Sequence, residues 1–380
     1  MKYQEYCEDE FTVIVNSPGR INIIGEHTDY NNGYVLPTAI NKQIQFLLKE
    51  NNLTSTCNVY SESIDESFQF DLNKVVQSSD LWKNYLLGVI NEIQILGKEL
   101  KGFDCVFKSN LPIGSGVSSS AALECGFASG LNELFNLELT KLELVKLSQR
   151  AEHNFVGTKC GIMDQFASVM SQSQKVILLD CNTLDYQYVP FQLKSHKILL
   201  LNSNVSHNLA SSEYNRRRQE CENSVSKISK KYKNVSSLRN VTLAMLNNCK
   251  DILTEIEFDR SEYVIEENER VLNAVQCLEN NDLEKLGELM YETHEGLKEK
   301  YEVSCDELDF LVEFSKKNKG VLGARMMGGG FGGCTINLID EKEIDNFVKE
   351  ISEEYLKKFN IKLTSFEALP SQGTSIERVK

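Results

Sequence analysis

The 380-residue chain is short of basic residues, of proline and of long apolar runs. Its 41 lysines and arginines stand against 55 acidic residues, a net charge of −14. A general nucleic-acid or anionic-membrane binder would carry a basic face, so neither partner is expected. An anionic substrate stays open, because one site can be locally positive on an acidic protein. No apolar stretch approaches the ~18 residues that a membrane span needs. The opening MKYQEYCEDE is acidic and lacks the apolar core of a signal peptide, which points to the cytoplasm. Eleven cysteines are present without a single CxxC pair. Neither a disulfide framework nor a structural zinc site is therefore expected; free thiols in a reducing compartment are.

What is there is ordinary in bulk: 41% hydrophobic and 25% charged residues, with enough length for two domains. The first third reads as β-rich, with TVIVN, QIQFLL and FDCVF as short strands bounded by turn formers. Leu123, Phe127, Leu131 and Leu134 recur at helical spacing, predicting a helix that ends near Phe135. A second helix is predicted over 140–155, opened by a capping box of Thr140 and Glu143. KVILLD and KILLLN read as strands separated by a turn around Pro190, and the domain boundary is set there, giving 1–194 and 195–380. The second half reads as more helical, with Asn280-Asn281-Asp282 as the turn of a helical hairpin.

Four stretches carry chemistry. In LPIGSGVSSSAALE, Gly114 and Gly116 free the backbone to turn, and Ser118, Ser119 and Ser120 open a helix. Such a helix start binds anions, phosphate above all, and a serine hydroxyl can ligate magnesium. It is not a Walker A loop, since no lysine follows the glycines; a plain surface loop with a serine cap is the alternative. MMGGGFGGC fits a dinucleotide fingerprint at Gly328, Gly330 and Gly333, but an apolar strand rather than a helix follows it. In SPGRINIIGEHTDYNNGYVLP, Arg20 suits phosphate or developing negative charge, while Glu26, His27 and Asp29 suit the hydroxyls of a polyol. In AEHNFVGTKCGIMDQFAS, Glu152 and Asp164 are carboxylates able to accept a proton or position a hydroxyl. Phosphate loop, polyol cluster, arginine and carboxylates are the parts that phosphoryl transfer to a small molecule needs.

These motifs resemble the GHMP small-molecule kinases, and within that family the galactokinase branch. GRINIIGEHTDYNNGYVLP is similar to the branch signature; LPIGSGVSSSAALE, GIMDQ and MMGGGFGG resemble the other family motifs, and NSNVSHNLASSEYNRRRQEC matches the branch as well. The resemblance implies an α/β (α+β) fold of two domains, a β-rich N-terminal one with helices and an α+β C-terminal one, with the site in the cleft between them. It implies transfer of the ATP γ-phosphate to the C1 hydroxyl of α-galactose, with magnesium, by a monomer. On matching positions Asp164 would be the catalytic carboxylate and Arg20 its partner, holding it ionised. Glu26, His27, Asp29, Gly161 and Tyr214 would hold the sugar. Gly114, Ser115, Gly116, Val117, Ser118, Ser119 and Ser120 would wrap the phosphates, Ser120 and Glu152 would hold the metal, and Trp82 would stand near the adenine.

Ser206 departs from the family's pattern, where many relatives carry a basic residue, and His207 is the candidate to compensate. Arg216, Arg217 and Arg218 read as a solvated helix face paired with Glu213 and Glu220. Two rival readings stay open: a kinase for a related sugar such as N-acetylgalactosamine, and a non-catalytic galactose sensor. The intact segment Ser118–Ala122, with Arg20 and Asp164, favours catalysis.

Overall fold

A computed structural model describes residues 11–112, 114–206 and 210–379. In chain order the elements are β1 (Val13–Asn22), β2 (Tyr34–Val35), β3 (Pro37–Glu50), β4 (Thr56–Ser61), β5 (Glu66–Asp71), α1 (Leu81–Ile95), β6 (Phe103–Ser109), α2 (Ser119–Leu134), α3 (Lys141–Ala151) and α4 (Met163–Met170). Then come β7 (Lys175–Asp180), β8 (Tyr186–Pro190), β9 (His196–Ser206), α5 (Ala210–Lys231), α6 (Leu243–Asn247), α7 (Glu255–Glu279), α8 (Leu283–Glu295), α9 (Asp306–Lys317), β10 (Val321–Met326), β11 (Gly332–Asp340), α10 (Ile344–Phe359), β12 (Thr364–Ala368) and β13 (Ser375–Arg378).

The strands make three sheets, ordered β13-β1-β3-β6-β4-β5, β10-β11-β9-β12 and β2-β7-β8. Among the described residues all pairings are antiparallel except β4 with β6. Helix α2 lies close on β1 and β3 because Gly126 faces them. A Cβ there would stand 2.4 Å from Phe46 and 2.6 Å from Ser17. The apolar side of α2 (Phe127, Leu131) joins Val15, Phe46, Leu48 and Phe103 in a core that also takes in Val271, Leu286 and Met290 from α7 and α8. The two halves of the chain therefore share one continuous apolar seam, and β9 to β11 with α9 and α10 enclose a second core around Leu201, Phe347 and Tyr355.

The α/β expectation holds, as do the strands at β1, β3 and β6 and the helix over α2. The Thr140–Glu143 capping box is present. The hairpin turn at 280–282 joins α7 to α8, with Asp282 accepting from the Lys285 N–H at 3.0 Å. Two expectations need correction. Pro190 ends a strand, β8, rather than making a turn; β8 is an edge strand, where a missing N–H costs no ladder bond. The β-rich first third also contains α1, whose buried side chains wrap most of the way round it. The line drawn at 194/195 is crossed by β13, which returns to pair with β1.

Candidate active site

Strand β1 carries a register shift between Pro18 and Arg20, a bulge of the kind that re-aims a side chain beside a site. Arg20 thus turns into the space between β1 and the 114–117 turn. Its Nε donates to Asp164 Oδ1 at 2.7 Å and its Nη1 to the Gly116 carbonyl at 2.6 Å. Burial opposes the Arg20 charge, but Asp164, Glu26 and Asp29 together hold its pKa above the ordinary value. Asp164 lies in the first turn of α4. Its second oxygen accepts from the Ser118 hydroxyl at 2.5 Å.

That bond corrects one reading of the phosphate loop. Ser118 stands at the N-cap of α2 in the left-handed region, at φ 56°, and its side chain caps nothing. Its hydroxyl serves Asp164, which leaves the first N–H groups of α2 without that cap. Ser115 and Val117 turn their side chains inward, Ser115 donating to the Pro112 carbonyl at 2.7 Å. Gly114 and Gly116 have φ of +70° and +71°, so backbone alone lines this turn. The 328–333 glycines back it: a Cβ on Gly328 would lie 3.3 Å from the Gly116 carbonyl. They form the bend of the antiparallel hairpin of β10 and β11, so the glycines run into a strand and do not open a helix, which excludes the dinucleotide reading.

The segment after β1 is stitched by its own polar groups. Thr28 Oγ1 donates to the Gly25 and Tyr34 carbonyls, and Asn31 Nδ2 to the His27 carbonyl at 2.9 Å. Glu26 Oε1 accepts from Arg325 Nη1 at 3.1 Å and from the Gly328 N–H at 3.0 Å. Arg325 is fully buried and also donates to the Ile23, Met326 and Asn22 carbonyls. Asp29 Oδ1 accepts from the Tyr30 N–H at 2.9 Å. Burial, then the Asp164 charge, pushes Asp29 up to about 7. Gly161 passes so close that a Cβ would sit 1.9 Å from Asp29 Oδ2. His27 is neutral: burial, reinforced by Arg217, pushes it down to about 3. Tyr214 of α5 covers the site, its ring 5.5 Å from that of His27.

Helix α3 ends at Ala151 and widens into a single π-helical turn over Glu152–Val156, a distortion common at functional sites. Glu152 thereby points inward, where Gln165 Nε2 donates to it at 2.8 Å. Burial, then Asp164, pushes Glu152 up to about 7, and the Ser120 hydroxyl beside it draws it back down. Glu124 stands behind, beside Glu152 and Gln165, and burial and the Glu152 charge hold its carboxyl well above the usual range.

Arg20, Glu26, His27, Asp29, Glu152, Asp164 and Tyr214 line one cavity of about 130 Å³ with Gly328 and Gly329, close to the ~150 Å³ that holds one six-membered ring. Four carboxylates and one arginine in that space can bind hydroxyls and hold a transferring anion. Trp82 does not line it; the indole N–H donates to Glu66 at 3.0 Å and the ring packs on Phe68 and Phe107. Arg217 is corrected from the solvated reading: it is buried, donating to the Tyr301 and Glu302 carbonyls, while Arg216 does face solvent. Ser206 and His207 have no side chain among the described ones.

Sequence reasoning missed Glu124, Arg325, Gln165 and the tyrosines around His27. Glu124 was within reach, since it lies four residues after Ser120 and such positions share a helix face. Arg325 sits inside an apolar run, VLGARMM, and nothing local marks it.

The chain matches three family models: the galactokinase galactose-binding signature over residues 1–49, the GHMP kinases N terminal domain over 84–172 and the GHMP kinases C terminal over 274–357. It is 44% identical over 364 residues to the galactokinase of Thermosipho africanus, covering 95% of this chain and 99% of that one. The Thermotoga maritima galactokinase is 45% identical, with 94% and 98% covered. The fold superposes on the crystal structure of Lactococcus lactis galactokinase complexed with galactose at a TM-score of 0.92 and 36% identity, over 96% and 95% of the two chains. Methanococcus jannaschii mevalonate kinase shares the fold at a TM-score of 0.66 and 19% identity.

Proposed function

The chain belongs to the galactokinase family of GHMP kinases, and from that membership we propose that it transfers the γ-phosphate of ATP to the C1 hydroxyl of α-galactose. One observation carries this reading: Asp164 stands at the cavity with Arg20 on one oxygen and Ser118 on the other. Glu26, His27, Asp29, Tyr214 and the backbone at Gly161 receive the sugar, and the C1 hydroxyl is presented to Asp164. That carboxylate orients the hydroxyl and takes its proton as the bond to phosphorus forms. Phosphoryl transfer asks little of a base and much of positioning and charge neutralisation. Arg20 neutralises charge on both the sugar oxygen and the transferring group.

The α2 N-terminus and the bare backbone of 114–117 receive the β- and γ-phosphates. The base of ATP lies in the groove where β6 runs into that turn, lined by Gln45, Ser63, Lys108 and Asn110. Magnesium takes one or two carboxylates together with substrate phosphates. Ser120 beside Glu152 is such a partial set of oxygen donors, with Glu124 behind Glu152. Held there, the ion would neutralise the phosphate oxygens. The described cysteines are all free, which supports a reducing, cytoplasmic setting.

The test is ADP release with magnesium and ATP across galactose, N-acetylgalactosamine, glucose and arabinose, with phosphorus NMR of the product. An anomeric phosphate made fastest from galactose is expected. Faster turnover of another sugar removes the substrate; no turnover of any sugar, with galactose bound, removes the reaction.

A further inference from the structure

The segment between β1 and β2 carries Glu26, His27 and Asp29 to the cavity. Its own hydrogen bonds close around Thr28 and Asn31, with the Asn31 and Gly33 N–H groups donating to the Thr28 carbonyl at 3.0 and 2.8 Å. Three backbone groups nearer its ends are satisfied from helix α7 instead, 234 to 242 residues further along the chain. The Gly25 N–H donates to Glu267 Oε1 at 2.8 Å, the Glu26 carbonyl accepts from the Tyr263 hydroxyl at 3.0 Å, and the Tyr34 N–H donates to Asn268 Oδ1 at 2.7 Å. A Cβ on Gly25 would stand 2.9 Å from Val271 Cγ2, and one on Gly33 would run into Asn268 Oδ1. The two glycines that bracket Glu26, His27 and Asp29 are thus where the segment presses on α7.

Tyr263, Glu267, Asn268 and Val271 follow at helical spacing, so one face of α7 makes all of these contacts. That face is itself held in place. Glu267 is fully buried, and its carboxylate also accepts from Arg270 Nε at 2.6 Å and from the Thr293 hydroxyl at 2.9 Å. Asn268 Nδ2 donates to the Val264 carbonyl at 2.8 Å, which turns Oδ1 toward Tyr34. Glu26 is anchored by its side chain to Arg325 and the Gly328 N–H; the bond from Tyr263 to its carbonyl stops the backbone from rocking about that anchor. His27 comes next at φ +62°, a left-handed conformation that a residue with a side chain keeps only where its surroundings impose it. A shift at Gly25 or Glu26 would move both side chains, since they are adjacent in the chain and line the same cavity.

We propose that Tyr263, Glu267 and Asn268 are positioning residues: they seat the sugar-facing segment on α7, and the seat sets how Glu26 and His27 meet the hydroxyls of the sugar. None of the three lines the cavity, so sugar affinity depends on residues behind its wall. Holding donors and acceptors in place before binding strengthens the contacts they make, and a site aligned to a hydroxyl rejects the analogue that lacks it. The part played by the sugar rests on the sugar-kinase reading of the site; the seat does not.

The seat is read on the full, ligand-free chain by amide hydrogen exchange, which needs no turnover. Tyr263→Phe keeps the ring that packs on Tyr301 and deletes only the hydroxyl; Asn268→Leu deletes the acceptor of the Tyr34 N–H. In both variants peptides within 23–34 should exchange roughly tenfold faster, while those of α2 and α10 keep wild-type rates. Unchanged exchange in both overturns the seat, whatever the reaction. The sugar's part is read by calorimetric titration of galactose and of its monodeoxy forms at C2, C3, C4 and C6. Tyr263→Phe should bind galactose roughly three- to tenfold more weakly, with KM for ATP unchanged. The wild-type penalty for a missing hydroxyl should shrink where that hydroxyl meets Glu26 or His27 and persist elsewhere. Equal weakening toward every sugar, with a raised KM for ATP, would overturn the positioning role and reduce α7 to a structural support. Absent turnover of every sugar, with galactose bound and the exchange pattern as expected, removes the kinase reading and leaves the seat standing.

Discussion

Arg20 Nε and Asp164 Oδ1 meet at 2.7 Å although 144 residues separate them. The pair joins the sheet to the start of α4 and puts a permanent cation beside the carboxylate that faces the acceptor hydroxyl. Asp164→Asn should lower kcat about 10²- to 10⁴-fold, the usual weight of a positioned acid or base, with KM for ATP close to wild type. Arg20→Lys should lose on the order of 10²-fold, since a point charge does not replace the fork that holds both Asp164 and the Gly116 carbonyl. Steady-state kinetics checks both; near-normal turnover in either variant removes that residue from the mechanism.

Ser118→Ala deletes the second donor to Asp164. A hydrogen bond to a charged group is worth about 1.5–3 kcal/mol, so kcat should fall roughly 10- to 100-fold. Because the hydroxyl caps nothing, the melting temperature should barely move. A large drop in melting temperature with kcat preserved would assign Ser118 a structural role instead.

Gly161→Ala places a methyl group within 1.9 Å of where Asp29 Oδ2 now lies. Asp29 must shift, so KM for galactose should rise at least tenfold, the effect of roughly one lost hydrogen bond. Calorimetric titration with galactose alone measures this, and affinity equal to wild type would show that the carboxylate has room to give.

The pH dependence follows from two raised carboxyls. Asp29 goes from an ordinary 3.8 to about 7 in the fold, and Glu152 from 4.5 to about 7. A folded-state pKa above the unfolded one means that the folded chain binds protons more tightly. The stability each group contributes is complete below about pH 4 and is lost as pH rises through about 7. Ligand-free protein should therefore lose melting temperature between about pH 5 and 8, and Asp29→Asn should flatten that slope. Galactose binding should run the other way, tightening as pH rises through 7, because ionised Asp29 accepts from hydroxyls. Parallel melting and titration series over pH would expose a wrong sign in either.

Arg325 and Glu26 form an ion pair with side chains 0% and 2% exposed. Arg325→Met takes from Glu26 its direct ion-pair partner and leaves only the Arg20 charge across the cavity, which should cost about 3–5 kcal/mol in denaturant unfolding. Adding Glu26→Gln should restore part of that stability while leaving galactose binding impaired. A single variant as stable as wild type would show that the pair is not needed by the fold.

Most of the site's first layer was legible because polar residues crowded into glycine-rich stretches have few structural excuses; Arg20, Glu26, His27, Asp29 and Asp164 all come together in one cavity. What stayed hidden acts from a distance. Arg325 and Tyr301 reach the site from regions about 300 residues after Glu26 and Tyr30, and no local pattern encodes such a meeting. Ser118 was legible as a residue but not as a role, since its left-handed backbone decides where its hydroxyl points. Helix α1 escaped notice because leucine, isoleucine and valine on most of its faces blur the period that marks an amphipathic helix.

Strand β13 pairs Ser375–Arg378 with Asn16–Val13, and this has a consequence for synthesis. The strand that carries Arg20 is made about 360 residues ahead of β13, and its outer edge stays open until β13 arrives. At about 5–20 residues per second, that interval is on the order of tens of seconds. Throughout it an apolar strand offers unpaired N–H and C=O groups to any passing chain. Chains that stop at residue 370 should be cut by protease within β1 far faster than chains that include residues 375–378, so the edge of the strand that carries Arg20 is guarded only once β13 has been made.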